Sequence, residues 1–272
     1  MSAADRVDEV SDDAKEAARR LSDHPWLERL ARGGFVASGL IHVMIGGIAV
    51  RLATGGGGEA DPSGALQALR GAPLGVLLLW ACAVGFFALA LWQVLDAVFG
   101  GPEITDRLKA VGRSALYAVL GGTTTTVARG AQSDSGESST DLTATLLSAP
   151  LGRVLVVGVG LGVVAAGLYH VYKGVTRKFL EDFERQAGGS VGRGIRLAGT
   201  LGYAAKGVAL VVVGGLFLLA AWQSDPEEAS GMDGALKALE GRPFGQALLL
   251  TVAVGLALYG VFNIARARYA DM

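Results

Sequence analysis

Three times along this chain a short apolar, helix-like stretch leads into Pro-Leu-Gly or Pro-Phe-Gly and then into a long apolar segment. The copies are Ala65-Leu66…Leu69…Pro73-Leu74-Gly75, Leu142…Leu146-Leu147…Pro150-Leu151-Gly152 and Ala235-Leu236…Leu239…Pro243-Phe244-Gly245. Their spacing far exceeds the ~20–50 residues of solenoid repeats, so each unit is large enough to hold a pair of long helices. Composition decides what kind of pair. Of the 272 residues 51% are hydrophobic, only 18% are charged, and the 41 glycines are about twice the usual share. A single water-soluble core cannot absorb that much apolar surface, and the segments after each motif are long enough for lipid.

A bilayer core needs about 20 apolar residues per helix. Six segments approach this, at residues 35–53, 74–99, 115–128, 154–172, 203–222 and 247–264. The third is weakest because Thr123 to Thr126 interrupt it, although threonine hydroxyls can bond back to helix carbonyls. The reading is an all-α membrane protein. Its six transmembrane helices form three tandem hairpin repeats at residues 31–100, 108–180 and 193–268, preceded by a polar arm over residues 1–30. Within that arm, residues 14–30 read as a polar helix with an interfacial edge of Trp26, Leu27 and Leu30. No basic region followed by a hydrophobic stretch marks a cleavable signal peptide.

Lys and Arg placement sets the expected orientation, because cytoplasmic loops retain them. Seventeen fall in the N-terminal arm, the second and fourth loops and the tail, against six in the other loops. Both termini are therefore expected in the cytoplasm of a bacterial plasma membrane, with all three Pro-Leu/Phe-Gly turns on the outer side. Each proline is expected to open the returning helix, since proline suits a first helical turn. Every hairpin leaves and returns to the same side, so the repeats are parallel. A closed ring about a pseudo-threefold axis along the membrane normal is the preferred packing, with an open, asymmetric bundle as the alternative. Gly158, Gly160 and Gly162, with Gly46-Gly47 and Gly214-Gly215, are read as points of close helix approach.

Aligning the repeats brings polar residues into shared slots. Counted from the prolines, Gln93, His170 and Asn263 coincide, and one turn later Asp96, Lys173 and Arg266. Counted from the paired glycines, Ser38, Arg113 and Lys206 coincide, with His42, Tyr117 and Leu210 four residues on, along the same face. Both sets lie toward the cytoplasmic ends. Polar groups at membrane depth are costly unless they meet a partner or water, so a polar cytoplasmic vestibule is one explanation. Interfacial snorkelling is the other, with Asp96, Lys173 and Arg266 engaged in ion pairs. His42 and His170 invite a bis-histidine haem, but their depths differ by about a turn on a residue count. No cofactor is expected. A net charge of −1 gives no basis for nucleic-acid binding, and the single Cys82 excludes an intrachain disulfide or a multi-cysteine metal site. No nucleophile–base set or metal-ligand motif stands out, so the chain reads as no enzyme.

The run Ala31-Arg32-Gly33-Gly34-Phe35-Val36-Ala37-Ser38-Gly39, with Ile45-Gly46-Gly47, Gly64-Ala65-Leu66 and Ala72-Pro73-Leu74-Gly75, resembles the bacterial family known as domain of unknown function 1206. The likeness spans residues 31 to 268 and is weaker in the middle copy, where Gly112-Arg113-Ser114 replaces Ala37-Ser38-Gly39. The resemblance implies an inner-membrane protein with six spans and supplies no catalytic residues. Two functions follow as expectations: a small channel or transporter, or an accessory protein. Partners for the second are membrane lipid, another membrane protein, or a cytoplasmic protein bound through residues 1–30.

Overall fold

The computed structural model describes residues 25–99, 104–182, 189–240 and 244–269. The expected polar helix before residue 25 lies outside them. The described residues form nine α-helices, α1 (Pro25–Ala53), α2 (Pro62–Arg70), α3 (Gly75–Phe99), α4 (Ile104–Ala128), α5 (Ser135–Ser148), α6 (Gly152–Val175), α7 (Gly189–Gln223), α8 (Gly231–Glu240) and α9 (Gly245–Tyr269). Two 3-10 turns (Lys178–Asp182 and Pro226–Glu228) complete them, and no strand occurs among these residues. Residues 25–30, expected to border an interfacial segment, continue unbroken into the first long helix.

Among the described residues, five helices are long and apolar enough to cross a membrane, over Arg32–Ala53, Gly75–Val98, Gly152–Val175, Val191–Gln223 and Gly245–Tyr269. The exception among the long helices is α4. It has 25 residues, but Asp106, Arg107, Lys109 and Arg113 occupy its first half. Its second half holds the threonine run, whose Thr124, Thr125 and Thr126 hydroxyls donate to the Leu120, Gly121 and Gly122 carbonyls at 2.6, 2.8 and 3.0 Å.

Each repeat's second long helix packs on the next repeat's first: α3 on α4, α6 on α7, and α9 back on α1. Within repeats, α1 meets α3 and α7 meets α9, yet α4 and α6 share no packed face. The ring expected from sequence thus closes through α9 and α1 and stays open at the middle repeat. A reason is visible in α5, which packs on α6, α7 and α8 but not on α4, whereas α2 bridges α1, α3 and α4.

Glycines set the tight faces. A Cβ at Gly167 would stand 2.7 Å from the Gly207 carbonyl, and one at Gly260 would stand 2.4 Å from that of Gly39. Gly46, Gly160 and Gly214 make similar approaches, but Gly47, Gly158, Gly162 and Gly215 face open space. Of the seven glycines expected to bring helices together, three do so.

The recurrent motif is a turn. The Gly75 N–H donates to the Ala72 carbonyl at 2.9 Å and the Gly152 N–H to Ala149 at 2.8 Å. Leu74, Leu151 and Phe244 have φ of 61, 62 and 62°. Pro73 and Pro150 therefore occupy the second position of type II turns, with leucine in the left-handed third position that glycine usually takes. The returning helices begin at Gly75 and Gly152, two residues later than the expected proline start. Glycine is needed there because a Cβ would lie 1.9 Å from the Leu69 carbonyl, or 1.8 Å from that of Leu146.

Beside these turns, α2, α5 and α8 cover one end of the helix assembly. Asp233 Oδ1 accepts the Ala60 N–H at 2.9 Å, Ser63 Oγ accepts the Ser135 N–H at 3.0 Å, and Gln67 Nε2 donates to the Ser133 carbonyl at 2.9 Å. All three repeats are thereby joined at this capped end.

Candidate functional site

The polar slots lie toward the opposite, basic end. Lys206 sits in the middle of the 35-residue α7, where its Nζ stands 4.3 Å from the centre of the Tyr259 ring and hydrogen-bonds that side chain. Asn263, one turn along α9, hydrogen-bonds Tyr259 as well. His42 from α1 lies against the same ring, with centroids 4.9 Å apart. His170 from α6 stands 5.6 Å from Tyr203, which meets Tyr259 edge-on at 5.1 Å. Lys206 is within electrostatic reach of both imidazoles.

The two histidines are held alike. His42 Nδ1 lies 2.8 Å from the Ser38 carbonyl and His170 Nδ1 lies 2.8 Å from that of Ala166. A carbonyl only accepts, so Nδ1 carries a proton on each ring. Ser38 thus contributes its backbone.

Around Lys206, then, stand two imidazoles, a phenol and the nearby Asn263 amide. Among the described residues no carboxylate accompanies them. Of the six spans read from the sequence, only 35–53, with Arg51 near its end, and 203–222, with Lys206 well inside it, contain a Lys or Arg.

The remaining slot residues spread around this centre. Tyr117 from α4 stacks on Phe86 of α3 at 6.4 Å and is electrostatically coupled to Tyr259 and Arg266. Gln93, two helical turns beyond Phe86 on the same stripe of α3, is 7% exposed, and its Oε1 has no hydrogen-bond partner. A buried, unsatisfied acceptor costs ~1–3 kcal/mol, so it calls for water or a ligand. Arg266 lies over Phe35 at 4.8 Å and Lys173 over Tyr203 at 5.5 Å. Arg113 is exposed and donates from Nε to the Lys109 carbonyl at 3.3 Å. Asp96 is exposed, and no ion pair engages it among the described residues.

Sequence reasoning missed the aromatic frame. Tyr203, Tyr259, Phe262 and Phe179 pack edge to face or stacked within 5.1–6.5 Å, Phe179 arriving from the 3-10 turn after α6. Repeat alignment could not reveal Tyr259, whose counterparts are Leu89 and Ala166.

Comparison with known proteins bears on the repeats. The model of the family described as Domain of Unknown Function (DUF1206) matches residues 33–100, 108–177 and 201–270. The chain belongs to the DUF1206 family. Each match begins near the first long helix of a repeat and ends near its second, so the DUF1206 unit is the helix pair with its intervening cap helix. A relative from Bacillus subtilis (strain 168), "Uncharacterized protein YxxB", is 29% identical over 256 residues, covering 91% of this chain and 93% of its own. No solved structure matches. In this DUF1206 chain the three units contribute unequally to the site: His42 comes from the first, His170 and Tyr117 from the second, Lys206, Tyr259 and Asn263 from the third.

Proposed function

We propose that this protein is a small membrane channel or transporter whose permeation path runs through a polar vestibule at the basic end. In this reading α4 is a sixth span, the three repeats surround a pseudo-threefold axis, and the vestibule faces the cytoplasm. The observation that carries it is Lys206: an ammonium in the middle of a long apolar helix, surrounded by polar groups from all three repeats and, among the described residues, without a carboxylate beside it. Translocon scales put a lysine at the centre of a membrane helix at ~3 kcal/mol unfavourable, a cost that water or an arriving ligand offsets. No nucleophile–base pair accompanies it among the described residues, so binding and passage fit better than a reaction.

Proteoliposome flux tests this. Rubidium, chloride and inorganic phosphate uptake are measured for the wild type, Lys206→Leu and His170→Leu. A permeating ion whose flux falls at least tenfold in Lys206→Leu supports the vestibule. Unchanged flux in both variants removes it.

A second reading, an accessory protein for lipid or a membrane subunit, is favoured by α6. Its Gly158 and Gly162 meet no neighbour, and Leu155, Leu161 and Leu168 are exposed. Absence of flux for all three ions, with a lipid or protein retained on gentle extraction, supports that reading instead.

A further inference from the structure

The open seam of the ring lies beside Lys206. On α6, the stripe of Gly160, Gly167 and Gly174 faces α7. At 100° per residue, His170 lies about a sixth of a turn round from it, toward Lys206, and Val159, Gly162 and Ala166 follow further round. All three are exposed, and nothing lies within 4 Å of a Cβ at Gly162. On α4, Ser114 and Gly121 face α3, Tyr117 turns to the interior, and Leu116 and Leu120 come next. Leu116 is 56% exposed. The two helices share no packed face, so this seam is an open slot between them. The slot has apolar walls, ends inward at His170 and the ammonium behind it, and carries Lys109 and Arg113 toward its basic end.

We infer that this slot admits an anionic amphiphile from the lipid phase, its acyl chain lying between α4 and α6 and its oxyanion head group paired with Lys206. This rests on the vestibule reading and names its ligand class. Charge complementarity selects the occupant. An apolar slot alone would accept any acyl chain, but a cation with no carboxylate partner among the described residues favours one with a negative head. The slot requires the chain to arrive sideways, because its apolar walls face the lipid and the polar groups lie behind them.

The test uses the full chain in nanodiscs of neutral phosphatidylcholine, with radiolabelled palmitate and, separately, inorganic phosphate as probes. Saturable palmitate binding is expected. Lys206→Leu lowers its affinity at least roughly tenfold, about 1.4 kcal/mol, while Lys206→Arg retains it. Gly162→Trp and Val159→Trp fill the slot without touching Lys206, and each lowers palmitate binding while leaving phosphate flux in liposomes unaltered. A melting curve superimposable on the wild type confirms folding of each variant. Palmitate binding insensitive to both tryptophans overturns lateral access while sparing the vestibule. Binding of phosphate but not palmitate overturns the amphiphile and leaves a small-anion vestibule. Palmitate binding unchanged in Lys206→Leu overturns the head-group assignment, and flux also unchanged in that variant removes the vestibule itself.

Discussion

Two neighbouring positions in the middle turn carry opposite demands on the backbone. Leu151 adopts φ 62°, ψ 14°, where a Cβ costs roughly 1–2 kcal/mol. Its side chain is 78% exposed and returns little packing in water. Leu151→Gly relieves the strain and loses ~0.5–1 kcal/mol to the freer unfolded chain, so a melting point unchanged or slightly raised is expected in detergent. A fall of several degrees would mean that the leucine is anchored by the surrounding amphiphile. Gly152→Ala should behave oppositely, since its methyl would collide with the Leu146 carbonyl at 1.8 Å. Gly167→Leu and Gly162→Leu form a second pair. The first forces α6 from α7 and is expected to cost ~1–3 kcal/mol as overpacking, read as a lower melting point, whereas the second points into open space and leaves it unchanged. Such asymmetry explains what sequence could and could not convey about the site. His42, Gln93, His170, Lys206 and Asn263 stood out because polarity is conspicuous in an apolar helix and the repeats gave a ruler. Tyr203, Tyr259 and Phe179 did not, because an aromatic residue in an apolar run is unremarkable by composition and Phe179 lies in a connection with no periodic signal.

The cap helices and the threonine-bearing α4 differ in how far local chemistry determines them. The bonds from Thr124, Thr125 and Thr126 to carbonyls four residues back are local, so that role was readable from the run itself. The cap is joined by contacts between residues 63 and 135 and between 60 and 233, which no local pattern contains. Its electrostatics follow from that assembly. Glu59 and Asp61 precede α2, and Asp134, Asp233 and Lys237 face them from the other two repeats. Burial foremost, reinforced by these carboxylates, raises the Glu59 and Asp61 side chains above their ordinary values of 4.5 and 3.8, against Lys237 and the bonds that Asp61 accepts from Ser63 and Gly64. A raised carboxyl binds its proton more tightly folded than unfolded. Its stabilising contribution is therefore complete below pH 3.8–4.5 and disappears as pH rises through the elevated folded values. Amide exchange at Ala60 and along α2 is expected to show more protection, after correction for intrinsic rates, at pH 5 than at pH 7.5. Glu59→Gln should reduce that difference by adding protection at pH 7.5. Equal corrected protection at both pH values in the wild type would contradict the argument.

At the scale of the whole molecule, the repeats foretold helix pairs but not how they close. A threefold sequence pattern favours a symmetric ring, yet side-chain detail in one repeat suffices to open it, and the middle repeat has the longest cap helix and the most polar long helix. Whether α4 crosses the membrane separates five spans from six. With Cys82 replaced by Ala, single cysteines at Lys109 and Gln132 should be labelled by an impermeant maleimide from opposite sides if it does, and from the same side if it does not. The open seam carries a sharper consequence for the division of the chain. Because α4 and α6 share no packed face, severing the connection after Gly130 cuts the chain where little packing between long helices is lost. The halves remain joined through α1 against α9 and through the cap bonds from residues 63 and 67 to 135 and 133. Co-expressed residues 1–130 and 131–272 should therefore copurify. Gly260→Leu in the second half drives a side chain into the Gly39 carbonyl, 2.4 Å from where its Cβ would stand, and should release the first half. The control Gly215→Leu, on the same half but facing open space, should leave the pair intact. Copurification that survives Gly260→Leu would mean that the cap, rather than the α1–α9 face, holds the ring together, since those are the main contacts crossing the cut.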